Sequence, residues 1–197
     1  MRTHALRAGI VTALVAAGLG AGVGSASADT PAGMADLGSA GFTKAGTTVT
    51  VPVLAPCSVD GATSASSPAV KKTGLAFGGG MSSCTTTVVD PETEETTTKS
   101  TATGKDFELS ALVSAGGPRV RIRSYTVTCT ATQGGTNSSW TFSGLTGIGS
   151  LPSPVPESYT KPIMKSNGTV LADAVFNLHD KPGDGSIALT MLRITFA

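Results

Sequence analysis

Residues 119–130 carry the clearest alternation in the chain, reading Arg-Val-Arg-Ile-Arg-Ser-Tyr-Thr-Val-Thr-Cys-Thr. Val120 and Ile122 alternate with Arg119, Arg121 and Arg123, which sends apolar and basic side chains to opposite faces of a β-strand. Beyond Ser124 the parity changes: Tyr125, Val127 and Cys129 become the apolar set, and Thr126, Thr128 and Thr130 the polar one. One extra residue at Arg123 or Ser124, a β-bulge, keeps both apolar sets on one face.

Other runs follow the same period of two. Residues 47–54 place Val49, Val51 and Val53 on one face, and Pro52, which has no N–H to donate, makes this an edge strand or interrupts it. A short strand is expected at 70–77, before the turn Gly78-Gly79-Gly80. Residues 84–89 and 96–103 are Thr-rich and flank Asp90-Pro91-Glu92-Thr93-Glu94-Glu95, which predicts a hairpin with an acidic tip. Phe107, Leu109, Ala111 and Val113 predict a half-buried strand ending at Gly116-Gly117-Pro118. Gln133 to Asn137 turns the 119–130 strand into 138–144, where Trp140 and Phe142 share a face; that alternation makes Trp140 a core residue rather than a carbohydrate platform.

Four prolines make 151–162 an extended surface connection. The last hairpin pairs 169–178 with 186–196. In its second strand apolar parity switches from Ile187, Leu189 and Met191 to Leu192, Ile194 and Phe196, a pattern that fits either a bulge or burial on both faces. With no convincing amphipathic helix, the pattern predicts an all-β fold: an antiparallel β-sandwich, or open barrel, of roughly seven to nine strands.

The first 28 residues stand apart. Arg2 and Arg7 precede an apolar run over 8–23, and Ala26-Ser27-Ala28 supplies a small-x-small cleavage site, so 1–28 reads as a secretory signal peptide. The run is Gly-rich and shorter than the ~20 apolar residues of a membrane span. The expected product is secreted and begins at Asp29, with 29–46 as a flexible Gly/Ala-rich arm and 47–197 as a single β-sandwich domain with no transmembrane anchor. Without Arg2 and Arg7, 12 basic residues face 13 acidic ones, so no excess of positive charge points to nucleic acid as a partner.

Cysteine usage fits export. Cys57, Cys84 and Cys129 leave one unpaired, and the loop-like surroundings of the first two favour Cys57–Cys84, a bridge worth about 3–4 kcal/mol in the chain-entropy picture. Cys84–Cys129 is the other pairing the spacing leaves open. Cys129, on the inner face beside Val127, suits a buried thiol. Three dispersed cysteines and one histidine after residue 28 give no zinc-chelating spacing, so no metal and no cofactor is expected.

Candidate chemistry is sparse. His179, beside Asp180, is the base that a secreted hydrolase of the Ser-His-Asp type would have to use, but no nucleophile elbow accompanies it. Asp180, Asp184 and the turn at 182–185 offer oxygen ligands without the pattern of a dedicated calcium loop. Arg119, Arg121 and Arg123 form a row of three positive charges on one strand face. Such a row is commonly a solvated surface balanced by cross-strand acids, Glu108 being the candidate. It is also the best binding patch in the sequence, suited to an acidic cell-envelope polymer or protein surface. The expectation is a non-catalytic structural or binding module, with the His179 hydrolase as the alternative.

The strand ending Tyr125-Thr126-Val127-Thr128-Cys129, the segment Trp140-Thr141-Phe142-Ser143-Gly144, the Pro-rich 151–156 and the closing pair 170–177 and 187–196 resemble the choice-of-anchor P family of secreted actinobacterial proteins. The resemblance covers about 120–196. It implies an extracytoplasmic β domain without an assigned activity, and so no catalytic residues; a counterpart of the varied C-terminal anchors for which that family is named is not expected here.

Overall fold

The computed structural model describes residues 7–17, 33–44, 46–92, 95–181 and 187–197, and of 7–17 the backbone alone. Period-two alternation becomes strand almost throughout. In chain order these are β1 (Arg7–Ala17), β2 (Met34–Ala35), β3 (Gly38–Lys44), β4 (Thr47–Leu54), β5 (Cys57–Ser58), β6 (Ser64–Ser67), β7 (Val70–Lys72) and β8 (Leu75–Phe77). They continue with β9 (Gly80–Asp90), β10 (Glu95–Leu109), β11 (Val120–Thr132), β12 (Gly135–Ser143), β13 (Tyr159–Met164), β14 (Val170–Asp180) and β15 (Ile187–Phe196).

Two antiparallel sheets pack face to face. The first runs β13-β14-β15-β1-β2-β5, with β3 pairing β1 and β4 pairing β3; the second runs β12-β11-β10-β8-β7, with β9 on β10 and β6 on β9. This is the all-β sandwich the pattern predicts. It has fifteen strands among the described residues rather than seven to nine, because five are only two to four residues long, too short for periodicity to register.

The interior lies between β11 and β15, which face each other. Val120, Ile122, Tyr125, Val127 and Cys129 are buried on one side, and Phe176, Leu189, Leu192, Ile194 and Phe196 on the other. Each large side chain sealed here contributes about 1.5–3 kcal/mol before ordering entropy is subtracted. Tyr125 also ties the layers together: its Oη donates to the Leu37 carbonyl at 3.0 Å. Gly104, its cross-strand partner, leaves the room its ring needs, since a Cβ there would lie 2.2 Å from Tyr125 Cζ.

Several expectations are corrected. Residues 34–44, read as part of a loose arm, include β2 and β3, and Leu37, Ala40 and Phe42 are buried. Small neighbours hid a strand whose few large residues all point inward. Pro52 sits on β4, which among the described residues pairs only with β3, and the register slips by one residue beside it; Val53 therefore faces solvent while Leu54 turns in. Ala111 to Val113 do not continue a strand: Ala111–Ala115 is a 3-10 turn that buries the consecutive Ala111 and Leu112 and closes on Gly116 at φ 82°. The end of the Pro-rich connection, Tyr159–Met164, is the edge strand β13.

The two inferred bulges differ in outcome. At Met191 and Leu192 the β1–β15 register does shift, with the extra residue on β15, whereas β14–β15 pairing stays regular. Around Arg123 and Ser124 no register shift occurs, because Lys105 and Asp106 opposite are exposed together in the same way, and Asp106 takes φ 48°. Both strands change parity at once, so the apolar sets stay inward without an inserted residue.

Candidate functional site

The outer face of the second sheet is where the candidate residues fall. Along β11 the outward positions read Arg121 and Arg123, then Thr126, Thr128, Thr130 and Thr132, with Arg119 one residue before the strand. Their inward neighbours are the buried Val120, Ile122, Tyr125, Val127 and Cys129.

Glu108, opposite Arg121 in the β10–β11 register, gathers two of the three arginines. Arg121 Nε donates to Glu108 Oε2 at 2.8 Å, and Arg119 Nη1 donates to Glu108 Oε1. The Arg121 hydrogen bond is the main cause that holds the Glu108 carboxyl below the usual carboxylate range; desolvation opposes it, and the Arg119 hydrogen bond and the two positive charges add to the lowering. Both guanidinium groups remain substantially exposed and keep donors to spare. Arg123 is different. It makes no ion pair among the described residues and lies against Gly144, which takes φ 65°. With Asp106, Glu108, Arg121 and Thr146 it lines an open depression of about 380 Å³. The row expected from alternation is thus present, with two arginines clamped and one unclamped.

Periodicity alone missed what surrounds the row. Register aligns hydroxyls across four strands: Ser83, Thr101, Thr128 and Ser139 form one line, with Thr103, Thr126 and Thr141 in the next. Lines are ~6.6–6.8 Å apart along the strands, and neighbours within a line ~4.8 Å apart. Thr101 Oγ1 and Thr128 Oγ1 lie 3.4 Å apart, as do those of Thr103 and Thr126, so each line is partly knit together. The Thr alternation was visible in the sequence; the lateral alignment needed the strand pairing.

His179 lies on β14, remote from this face in chain pairing. Its Nδ1 stands 3.4 Å from Glu157 Oε2, and Glu157 also accepts from Lys181 Nζ at 2.9 Å. Among the described residues no serine hydroxyl hydrogen-bonds His179. The calcium possibility at 182–185 lies outside the described residues, and among the described ones no cluster of three or more His, Cys, Asp or Glu is placed to hold a metal. Trp140 is half-buried, stacked on Phe142 at 5.5 Å and on Phe176 at 6.4 Å, with Nε1 donating to Asn177 Oδ1 at 2.9 Å. It packs against the interior while keeping one edge accessible.

Cys57 and Cys84 are joined, linking β5 of the first sheet to β9 of the second. Cys84, Ser100 and Cys129 are successive members of one cross-strand line on the inner face. Cys129 is therefore two strands, ~9.6 Å, from Cys84, beyond the ~7 Å limit for a bridge. Burial pushes the Cys129 thiol up to about 11. No family model, curated protein or solved structure matches this chain.

Proposed function

We propose that this chain is a secreted, non-catalytic β-sandwich module that binds through the outer face of its second sheet. The ligand class is an acidic, hydroxyl-bearing polymer of the cell envelope or its surroundings. The observation that carries the reading is the continuity of Arg119, Arg121 and Arg123 with aligned Thr and Ser lines on one exposed face. Guanidinium groups pair with carboxylate or phosphate, and regularly spaced hydroxyls exchange hydrogen bonds with a polyol. The leader-like 1–28 supports export, as does a disulfide, which persists in oxidising compartments. The resemblance to the choice-of-anchor P family points to the same extracytoplasmic setting.

The test is binding of a polyuronate and of a neutral polysaccharide of similar length, across a salt series. The polyuronate should bind preferentially and weaken with salt, since exposed charges are screened over ~10 Å at 0.1 M. Arg119→Gln, Arg121→Gln and Arg123→Gln together should weaken it at least tenfold, with little change in thermal stability. Unaltered binding overturns the reading. So does hydrolysis of an ester or peptide panel that disappears in His179→Ala.

A further inference from the structure

The first sheet is held together by β1. Its backbone pairs with β15 at seven positions on one side, from Ile10 opposite Thr195 to Ala17 opposite Ile187. On the other side it pairs with β3 at four positions and β2 at two. No other pairing joins β15 to β3 or β2 among the described residues. Yet Arg7–Ala17 lies inside the run read as the export signal. If cleavage follows Ala28, the product has β15 on one side and β3 with β2 on the other, and an unfilled strand position between them.

Both walls of that position are anchored without β1. The β2–β5 side is fixed to the second sheet by Cys57–Cys84, and the Leu37 carbonyl by Tyr125 Oη. The opposite wall, β15, is paired along its length with β14. At one end Phe42 of β3 and Phe196 of β15 meet edge to face at 5.4 Å, giving the gap an apolar floor.

The edges differ in how they are protected. The outlying strands β4 and β13 each carry a proline, Pro52 and Pro162, which discourages further pairing. Neither β3 nor β15 contains one. The sequence blunts outer edges and leaves the inner pair competent to bond a strand.

We infer that the exported protein accepts, between β15 and β3, an extended strand of a different protein, antiparallel to β15. The inference rests on the export reading above. Main-chain hydrogen bonds on both sides supply affinity and the alternate side chains supply selectivity. The occupant is an uncharged run of about ten mostly small or β-branched residues, spanning ~34 Å, as Ala-Gly-Ile-Val-Thr-Ala-Leu-Val-Ala-Ala is after Arg7. It also offers a hydrogen-bond acceptor near Arg193 of β15, whose buried Nε has no partner among the described residues. A second copy cannot supply this strand from its own start, since only the four residues 29–32 precede Gly33 in a chain that begins at Asp29.

The protein is recovered from the medium of a secreting bacterial host and its N-terminus read by mass spectrometry. Hydrogen exchange is then followed with and without a synthetic peptide of residues 7–17 bearing a solubilising tail. A chain starting near Asp29 should show rapid exchange at those amides of β3 and β15 that face the β1 position, while the amides bonded to β4 and β14 stay protected. The peptide should bind saturably, slow those amides at least tenfold and raise the melting temperature, whereas a peptide carrying Thr12→Pro and Val15→Pro should not. If the exported chain is poorly folded, a full chain cut at an engineered protease site at residues 26–28 serves instead, and a labelled peptide should displace the resident strand.

A chain starting near Asp29 in which the β3 and β15 amides that face the β1 position are already protected overturns the inference and leaves export standing. Equal binding of the two peptides, or failure to exchange in the cut chain, does the same. An exported product that retains residues 7–17 overturns both the cleavage after Ala28 and the inference, because β1 is then a permanent strand.

Discussion

Replacing Cys57 and Cys84 together by alanine tests how the two sheets are fastened. The bridge spans 27 residues of sequence. Chain-entropy loss on closing such a loop is about 12 cal/mol/K, or about 3.5 kcal/mol at 25 °C. Little local compensation is expected, because both sulfurs are buried and the link joins β5 to β9 rather than two strands already paired. At about 2–4 °C per kcal/mol for a domain of this size, the melting temperature should fall by about 7–14 °C. Urea unfolding, followed by fluorescence of the single Trp140, gives the free energy directly. Reductant should lower wild-type stability by a similar amount and leave the double variant unchanged. A loss under about 1 kcal/mol would refute the argument, and so would a Cys129-linked peptide from oxidised monomer.

Three further outcomes follow from named contacts. Gly104→Ala drives a methyl into the Tyr125 ring and should cost about 1–3 kcal/mol by overpacking, whereas Tyr125→Phe, which only unpairs the Leu37 carbonyl, should cost about 1 kcal/mol by urea titration. Glu108 has its folded pKa lowered, so its contribution is present above the ordinary carboxyl range near 4.5 and is lost as pH falls through the folded value. Wild type should therefore lose up to about 1 kcal/mol more than Glu108→Gln between pH 7 and acid, since the arginines are exposed. Cys129, with its thiol raised to about 11 and buried, should resist a thiol reagent at pH 8 until urea unfolds the protein.

What could be read from the sequence was set by how regularly each segment alternates. β11, β12, β14 and β15 were legible because strong apolar residues repeat at every second position and the turns between them carry Gly or Asp. β3 was not, because five of its seven residues are Gly, Ser, Ala or Thr, and only its pairing on β1 and β4 decides that Ala40 and Phe42 face inward. The Arg row followed from parity, and Glu108 from its place in the preceding strand. Its clamping of Arg119 and Arg121, but not Arg123, followed from neither. It is set by the register that places Glu108 opposite Arg121 and by the reach of Arg119 back to the same carboxylate. The lateral Thr and Ser lines are likewise a property of register, which one strand's pattern does not encode.

The apolar run near the N-terminus shows the same limit from the opposite direction. A strand flanked on both sides within a covered sheet reads as a near-continuous apolar segment rather than an alternation, and the hydrophobic part of an export signal reads identically. Ile10 to Ala17 satisfies both descriptions with the same residues: uncharged, and small or β-branched apart from Leu14. One property thus suits the segment for export and for filling the place between β15 and β3. If the peptide bond after Ala28 is cut, those two edges lose the strand that joins them while Cys57–Cys84 and the Tyr125 contact still hold the layers together. What export removes would then specify, in its length and composition, the kind of strand the remaining sheet can take.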